Sequence, residues 1–233
     1  MAKATVLAQY DNNKGLTQKG AIDAANAKGV RILSNKEFDQ RLVLSDTWKS
    51  EKEVYPAWSG TLVAFKGEGA KLGDVVEYTS QGITYILEVP KEYQNEKNAI
   101  LVMNHCFIGG KALIIPSEQG TTITYEIADK SQIALLQNFP TSNGWYNANN
   151  AFGIPLGKGI SSDNSDARYL YKTQNYVGLL ARGYDGFGFF NRRCVGADSQ
   201  PSVRFGVLVD TEAAKLAAAP KPEAAQSKRR HSR

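Results

Sequence analysis

Histidine and cysteine are nearly absent from this chain. Its 233 residues include two histidines, His105 and His231, and two cysteines, Cys106 and Cys194. The shortage removes whole classes of chemistry. No spacing of these residues makes a metal motif, and two cysteines make no disulfide framework. They read as two free thiols, with one disulfide between them as the alternative. His105, beside Cys106 at the end of an apolar strand, reads as a structural histidine more readily than as a base or a ligand. Gly-x-Ser-x-Gly, Walker and His-Glu-x-x-His stretches are also missing. Two acidic pairs, Glu51 with Glu53 and Asp163 with Asp166, are explained by solvated loops. No catalytic residue, metal or cofactor is therefore expected, and the balance tips from enzyme to binding protein.

Long apolar runs are missing too. Nothing approaches the length that spans a bilayer. The opening Met1-Ala2-Lys3-Ala4-Thr5 lacks the apolar centre of a signal peptide. A cytoplasmic or virion-associated location is the expectation. The formal net charge is +5, but Lys228, Arg229, Arg230 and Arg233 supply much of it. Nucleic acid is therefore not the expected partner of the folded part. Residues 211–233 form an Ala/Pro/Lys tail with little apolar bulk, which predicts a disordered segment that folding can do without.

What remains reads as a single domain over residues 1–210, with a scaffold part to 139 and a loop-rich part from 140. Ala4 to Tyr10 reads as a first strand, and Thr17 to Lys28 as an alanine-rich helix that Gly20 weakens. Gly29 to Leu33 is a brief extended piece. Ser34 with Glu37 three residues on makes a capping box for a helix from Asn35 to Ser45, with Phe38 and Leu42 on one face. From Trp58 the texture turns to strands: Thr61–Phe65, Val75–Thr79, Thr84–Val89, Ala99–Asn104, Ala112–Ile115 and Thr121–Ile127. Pro140 to Asn150 reads as a Ser/Asn/Gly loop with aromatics, and Ala167 to Lys172 as extended. The fold class is α+β, with a mainly antiparallel sheet.

The stretch from Tyr176 to Val209 organises the rest. Its ends, Tyr176–Ala181 and Val203–Val209, are apolar and strand-like. Between them Gly183, Gly186, Gly188 and Gly196 break regular structure, yet Tyr184, Phe187, Phe189, Phe190, Asn191, Arg192 and Arg193 stand among them. Loops face water and carry polar residues. Aromatics and arginine on a glycine-rich loop have the composition of a binding surface. The other reading makes the phenylalanines core residues of an irregular segment.

With a helical start, a strand-rich body and a closing run Pro201-Ser202-Val203-Arg204-Phe205-Gly206-Val207-Leu208-Val209, the chain resembles C-type-lectin-fold proteins. The closing run is similar to the terminal strand of their formylglycine-generating-enzyme branch. More narrowly, the chain resembles the variable proteins of diversity-generating retroelements from viruses and minimal microbes. That resemblance implies a hypervariable, ligand-binding patch just before the final strand. It also implies variable positions from AAY codons, which never become Lys, Glu, Gln, Trp or Met. Those types form roughly a fifth of an average protein, and none lies between Asn175 and Ser199. The binding positions so implied are Tyr184, Asp185, Phe187, Phe189, Phe190, Asn191, Arg192, Arg193, Ala197 and Asp198. Trp145, Tyr146 and Asn147 would flank them.

Other functions of the fold do not carry over. Gln200-Pro201 is followed by Ser202, and no Trp-Asn-Asp exists, which disfavours calcium-bound sugar. Cys194 stands alone where the formylglycine-generating enzymes need paired cysteines. The expected partner is a protein or other macromolecular ligand. The alternative is a virion or cell-surface structural subunit that uses the same loops for assembly.

Overall fold

The computed structural model describes residues 4–9, 15–43, 56–104, 114–119, 122–127, 131, 133–148, 150–157, 167–172, 174–183, 194–197 and 204–211. The first strand, β1 (Ala4–Ala8), leads to helix α1 (Gln18–Lys28), the short β2 (Arg31–Ile32) and helix α2 (Asn35–Val43). Strands follow: β3 (Ala57–Phe65), β4 (Val75–Ser80), β5 (Ile83–Glu88), β6 (Ala99–Met103), β7 (Ile114–Gln119), β8 (Thr122–Ile127) and β9 (Ile133–Gln137). The last are β10 (Gly144–Asn147), β11 (Ala167–Lys172), β12 (Tyr176–Gly183), β13 (Cys194–Ala197) and β14 (Gly206–Asp210). The class is α+β and dominated by sheet.

Both helices are set by their ends. Thr17 accepts the Gly20 amide on its hydroxyl at 3.1 Å and so caps α1. Gly29 closes that helix in the left-handed region at φ 61°, where a side chain would be strained. The expected capping box opens α2. The Ser34 amide donates to Glu37 at 2.8 Å, and the Glu37 amide returns to the Ser34 hydroxyl at 3.3 Å. Glu37 has a second task. Arg31 grips its two carboxylate oxygens at 2.7 and 2.6 Å and reaches Asp210 of β14 at 2.9 Å. Burial pulls the Arg31 pKa down, but Glu37 and Asp210 outweigh it and raise the value. The helix cap is thus bonded to the last strand.

Ten strands form one sheet, centred on β3 and β12. Along it run β1, β14, β3, β12, β13, β11 and β10, while β2 joins β14 and β6 joins both β3 and β9. β4, β5, β8 and β7 form a second sheet. Most pairings are antiparallel; β14 with β3, β11 with β13 and β5 with β8 are parallel. β3 is buried at every residue, because strands flank it and both of its faces are covered. β14 is buried throughout too, so Val207, Leu208 and Val209 all serve the core. Phe205 packs on Trp58 with centroids 4.9 Å apart, while Val203 lies outside the described residues.

Four sequence expectations are corrected. The span 140–150, expected as a loop, contains β10. The glycine-rich stretch contains β13, and β9 was not expected at all. β3 also begins at Ala57, ahead of the expected Thr61, because Ser59 and Gly60 lie inside the strand.

The main core lies where α1 and the second sheet meet the first. Ala21 and Ile22 pack there with Leu62, Leu101, Val177 and Leu179, and Tyr85, Leu87 and Tyr125 close it from the second sheet. Tyr85 is 1% exposed and stacks on Tyr125. Burial, helped by Tyr78, pushes its pKa up to about 12, although a Gln18 hydrogen bond works the other way. A phenol with a raised folded-state pKa keeps its full contribution below the unfolded value of about 10 and loses it through the folded one. Stability should therefore fall by about 2–3 kcal/mol between roughly pH 10 and 12. Urea titrations across that range should show a shallower fall for Tyr85→Phe.

Candidate binding face

β12 carries the chain out of the core, and its end is held by pairing. Ala181, Arg182 and Gly183 lie opposite Gly196, Val195 and Cys194 of β13. Residues 184–193 therefore join two strand ends that pair with each other. β13 runs parallel to β11, with Tyr169 opposite Cys194 and Tyr171 opposite Gly196. β11 in turn pairs with β10, with Trp145 opposite Tyr169.

That register makes an aromatic row. Directly paired residues share a sheet face, as do alternate residues along a strand. Trp145, Tyr169 and Tyr171 consequently stand on one face. The Trp145 and Tyr169 rings meet edge-on at 5.4 Å, and Tyr169 and Tyr171 are tilted at 4.6 Å. Tyr171 is 38% exposed, one of two large exposed apolar side chains among the described residues. The alternate residues point inward: Leu170 is fully buried, and Tyr146 packs beside it against the second core cluster. The Tyr146 hydroxyl is tied to Ser142, donating to its carbonyl at 2.8 Å.

Polar groups hold the ground beneath. Arg182 is 1% exposed and Asn35 is wholly buried. The guanidinium donates to the Asn35 side-chain oxygen at 2.6 Å and to its carbonyl at 3.1 Å, and lies 5.9 Å from the Phe38 ring centroid. Asn35 spends its amide nitrogen on the carbonyls of Phe152 and Gly153, and its backbone N–H on Thr61. The 150–154 turn is itself held by Asn150, which accepts from the amides of Phe152 and Ile154. Ser59 donates to the Leu180 carbonyl at 2.7 Å where the β3–β12 register slips. Farther along β12, Gln18 accepts from the Leu179 amide, and a side chain at Gly178 would collide with it. The first residues of both helices are thus bonded to the strand that leads to residue 184.

The sequence-derived site residues divide sharply. Tyr184, Asp185, Phe187, Phe189, Phe190, Asn191, Arg192, Arg193 and Asp198 lie outside the described residues, as do His105, Cys106 and the tail from 212. Ala197 ends β13, opposite Lys172. Trp145 belongs to the aromatic row, Asn147 is exposed at the end of β10, and Tyr146 faces the opposite way. Tyr169 and Tyr171 were missed as site residues. Their signal was the alternation of tyrosine with buried Leu170, in a strand that was itself expected. Arg182 was missed as an anchor because it stands next to the glycine-rich stretch.

Elsewhere, a cleft of about 780 Å³ at the end of the second sheet is lined by Asp74, Glu88, Lys91, Glu92 and Glu126 among others. Among the described residues no three His, Cys, Asp or Glu side chains gather as a metal site. No described helix is long and apolar enough to cross a membrane. Comparison of the chain with family models, with curated proteins and with solved structures finds no match.

Proposed function

We propose that this protein is a non-enzymatic binding protein that displays a diversified ligand-binding surface on a C-type-lectin-like scaffold. The observation that carries the proposal is a juxtaposition. A segment rich in aromatics, arginine and glycine, without Lys, Glu, Gln, Trp or Met, leaves and re-enters the sheet at the paired Gly183 and Cys194, beside an aromatic row. Aromatic and arginine side chains give contact energy at interfaces out of proportion to their number. Arg182, Asn35 and Ser59 hold β12 from below. A site whose frame is fixed this way tolerates side-chain change without losing its fold. The scaffold reading rests on two early helices, a strand-rich body and a last strand that pairs with the first.

The rival is a virion or cell-surface structural subunit in which the same residues meet sister copies. Sequence tolerance separates the two. Sibling genes of one genome should differ mainly within codons 184–198 and leave those for Asn35, Gly60, Trp145 and Arg182 unchanged. An imperfect downstream repeat of codons 176–209, with adenines at the variable positions and beside a reverse transcriptase, is the expected genetic signature. Invariant codons 184–198 across siblings would favour the subunit and remove the diversified surface.

A further inference from the structure

Resting on the reading of the aromatic row as a binding face, we infer that Asn35 is the residue that positions it. Its one buried amide ties the strand of Trp145 to the end of β12 without passing through β13. The need for such a tie lies in the strand order. β12, β13, β11 and β10 are successive neighbours, and three strand spacings put β10 roughly 14 Å from β12. The intervening β13 has four residues, of which three pair with β12. All four fall within the span 184–198 whose side chains are proposed to vary. A row that took its place from β13 alone would shift with every change there.

Asn35 bypasses that strand. At one end its side-chain oxygen and its carbonyl accept from Arg182 at 2.6 and 3.1 Å, one residue before β12 ends at Gly183. At the other end its side-chain nitrogen donates to the carbonyls of Phe152 and Gly153 at 2.8 and 3.0 Å. Their turn is pinned to β10, because the Leu156 amide donates to the Asn147 carbonyl at 2.6 Å. Trp145 stands two residues earlier on that strand. The amide has one workable orientation. A guanidinium only donates and a carbonyl only accepts, so the oxygen faces Arg182 and the nitrogen faces the turn. Aspartate lacks the donor, and leucine lacks both groups. The main chain of Asn35 is fixed as well: its N–H donates to the Thr61 hydroxyl of β3 at 2.9 Å, just after the Ser34 cap. The row is thereby referred to the central strand of the sheet.

Amide hydrogen exchange on the full chain tests the tie. Asn35→Ala is compared with the parent in enough urea to give both the same global stability. Exchange over 144–156 and 181–183 is expected to be about tenfold faster in the variant, while 99–103 in β6 matches the parent within about twofold. A merely structural role predicts a match everywhere. Arg182→Lys keeps the charge but loses the guanidinium fork, and should likewise speed exchange over 150–156, the far end of the tie. Val195→Pro, which takes a backbone donor from β13, should leave 144–156 at parent rates. Parent-like rates there in both Asn35→Ala and Arg182→Lys overturn the tie, as does a rise with Val195→Pro that equals the one with Asn35→Ala. The functional readout uses peptides selected on the full chain from a random phage-displayed library and lost on Trp145→Ser. They should bind Asn35→Ala about tenfold more weakly where circular dichroism shows it folded; unchanged affinity overturns the positioning role. If the exchange results hold but no selected peptide responds to Trp145→Ser, the tie positions no binding face and the inference falls with the reading beneath it.

Discussion

Gly60→Ala is expected to cost about 4–5 kcal/mol or to prevent folding, the upper end of what one substitution does. A methyl group at this position would stand 2.3 Å from the Ile32 carbonyl oxygen and 2.9 Å from its carbon. Relief would require the two main chains to part, and neither is free to move. The Gly60 amide donates to the Leu33 carbonyl at 2.7 Å, Ile32 pairs with Val209, and Leu33 donates to the Leu208 carbonyl at 3.0 Å. Moving β2 away would also disturb Arg31 and its bonds to Glu37 and Asp210. Gly69→Ala is the control. Nothing lies within 4 Å of a methyl there, and the cost is only that of a left-handed residue at φ 71°, about 1–2 kcal/mol. Urea unfolding of both variants gives the comparison directly; equal, small losses would show that β2 does not cross β3 at Gly60.

Asn35→Ala should cost about 3–5 kcal/mol, for a different reason. The substitution leaves little empty space. What it removes is a buried amide whose oxygen faces Arg182 and whose nitrogen serves the carbonyls of Phe152 and Gly153. Each stranded buried partner costs about 1–3 kcal/mol, and more where the group is charged. In a chain of this length such a loss lowers Tm by about 10 °C. Asn35→Asp should not rescue it: the carboxylate keeps an acceptor for Arg182 but faces two carbonyls that need a donor. A Tm within about 2 °C of the parent for Asn35→Ala would mean that the network contributes nothing.

Much of the frame was legible because its signals are local. The Ser34–Glu37 box, the helix over 17–28, the β-branched runs in 75–89 and the extended piece 167–172 each depend on residues a few positions apart, and each forms within a residue or so of the expected bounds. Ser59-Gly60 was opaque because its use depends on β2 crossing above, and that contact is set by distant pairing. Trp145-Tyr146 lay hidden among asparagines, which argue for a loop on local grounds. β10 exists because β11 offers it a partner. Cys194 to Ala197 is short and contains glycine, so only its pairing with both β12 and β11 makes it a strand. Arg182 was the least legible: no local pattern tells a buried, amide-bound arginine from a surface one. The aromatic row needed a register that places Trp145 beside Tyr169, and a single strand's sequence does not supply it.

Whether the aromatics of residues 184–193 form a surface or a core is decided most directly by thermal melts of Phe187→Ser, Phe189→Ser and Phe190→Ser. Exposed aromatics contribute contact energy to a partner but little to folding. A binding surface predicts that each variant changes stability by less than about 0.5 kcal/mol and melts within about 2 °C of the parent. Losses of about 3–5 kcal/mol each, the range for a truncated buried phenylalanine, would show packing in place of a surface and contradict the proposed function.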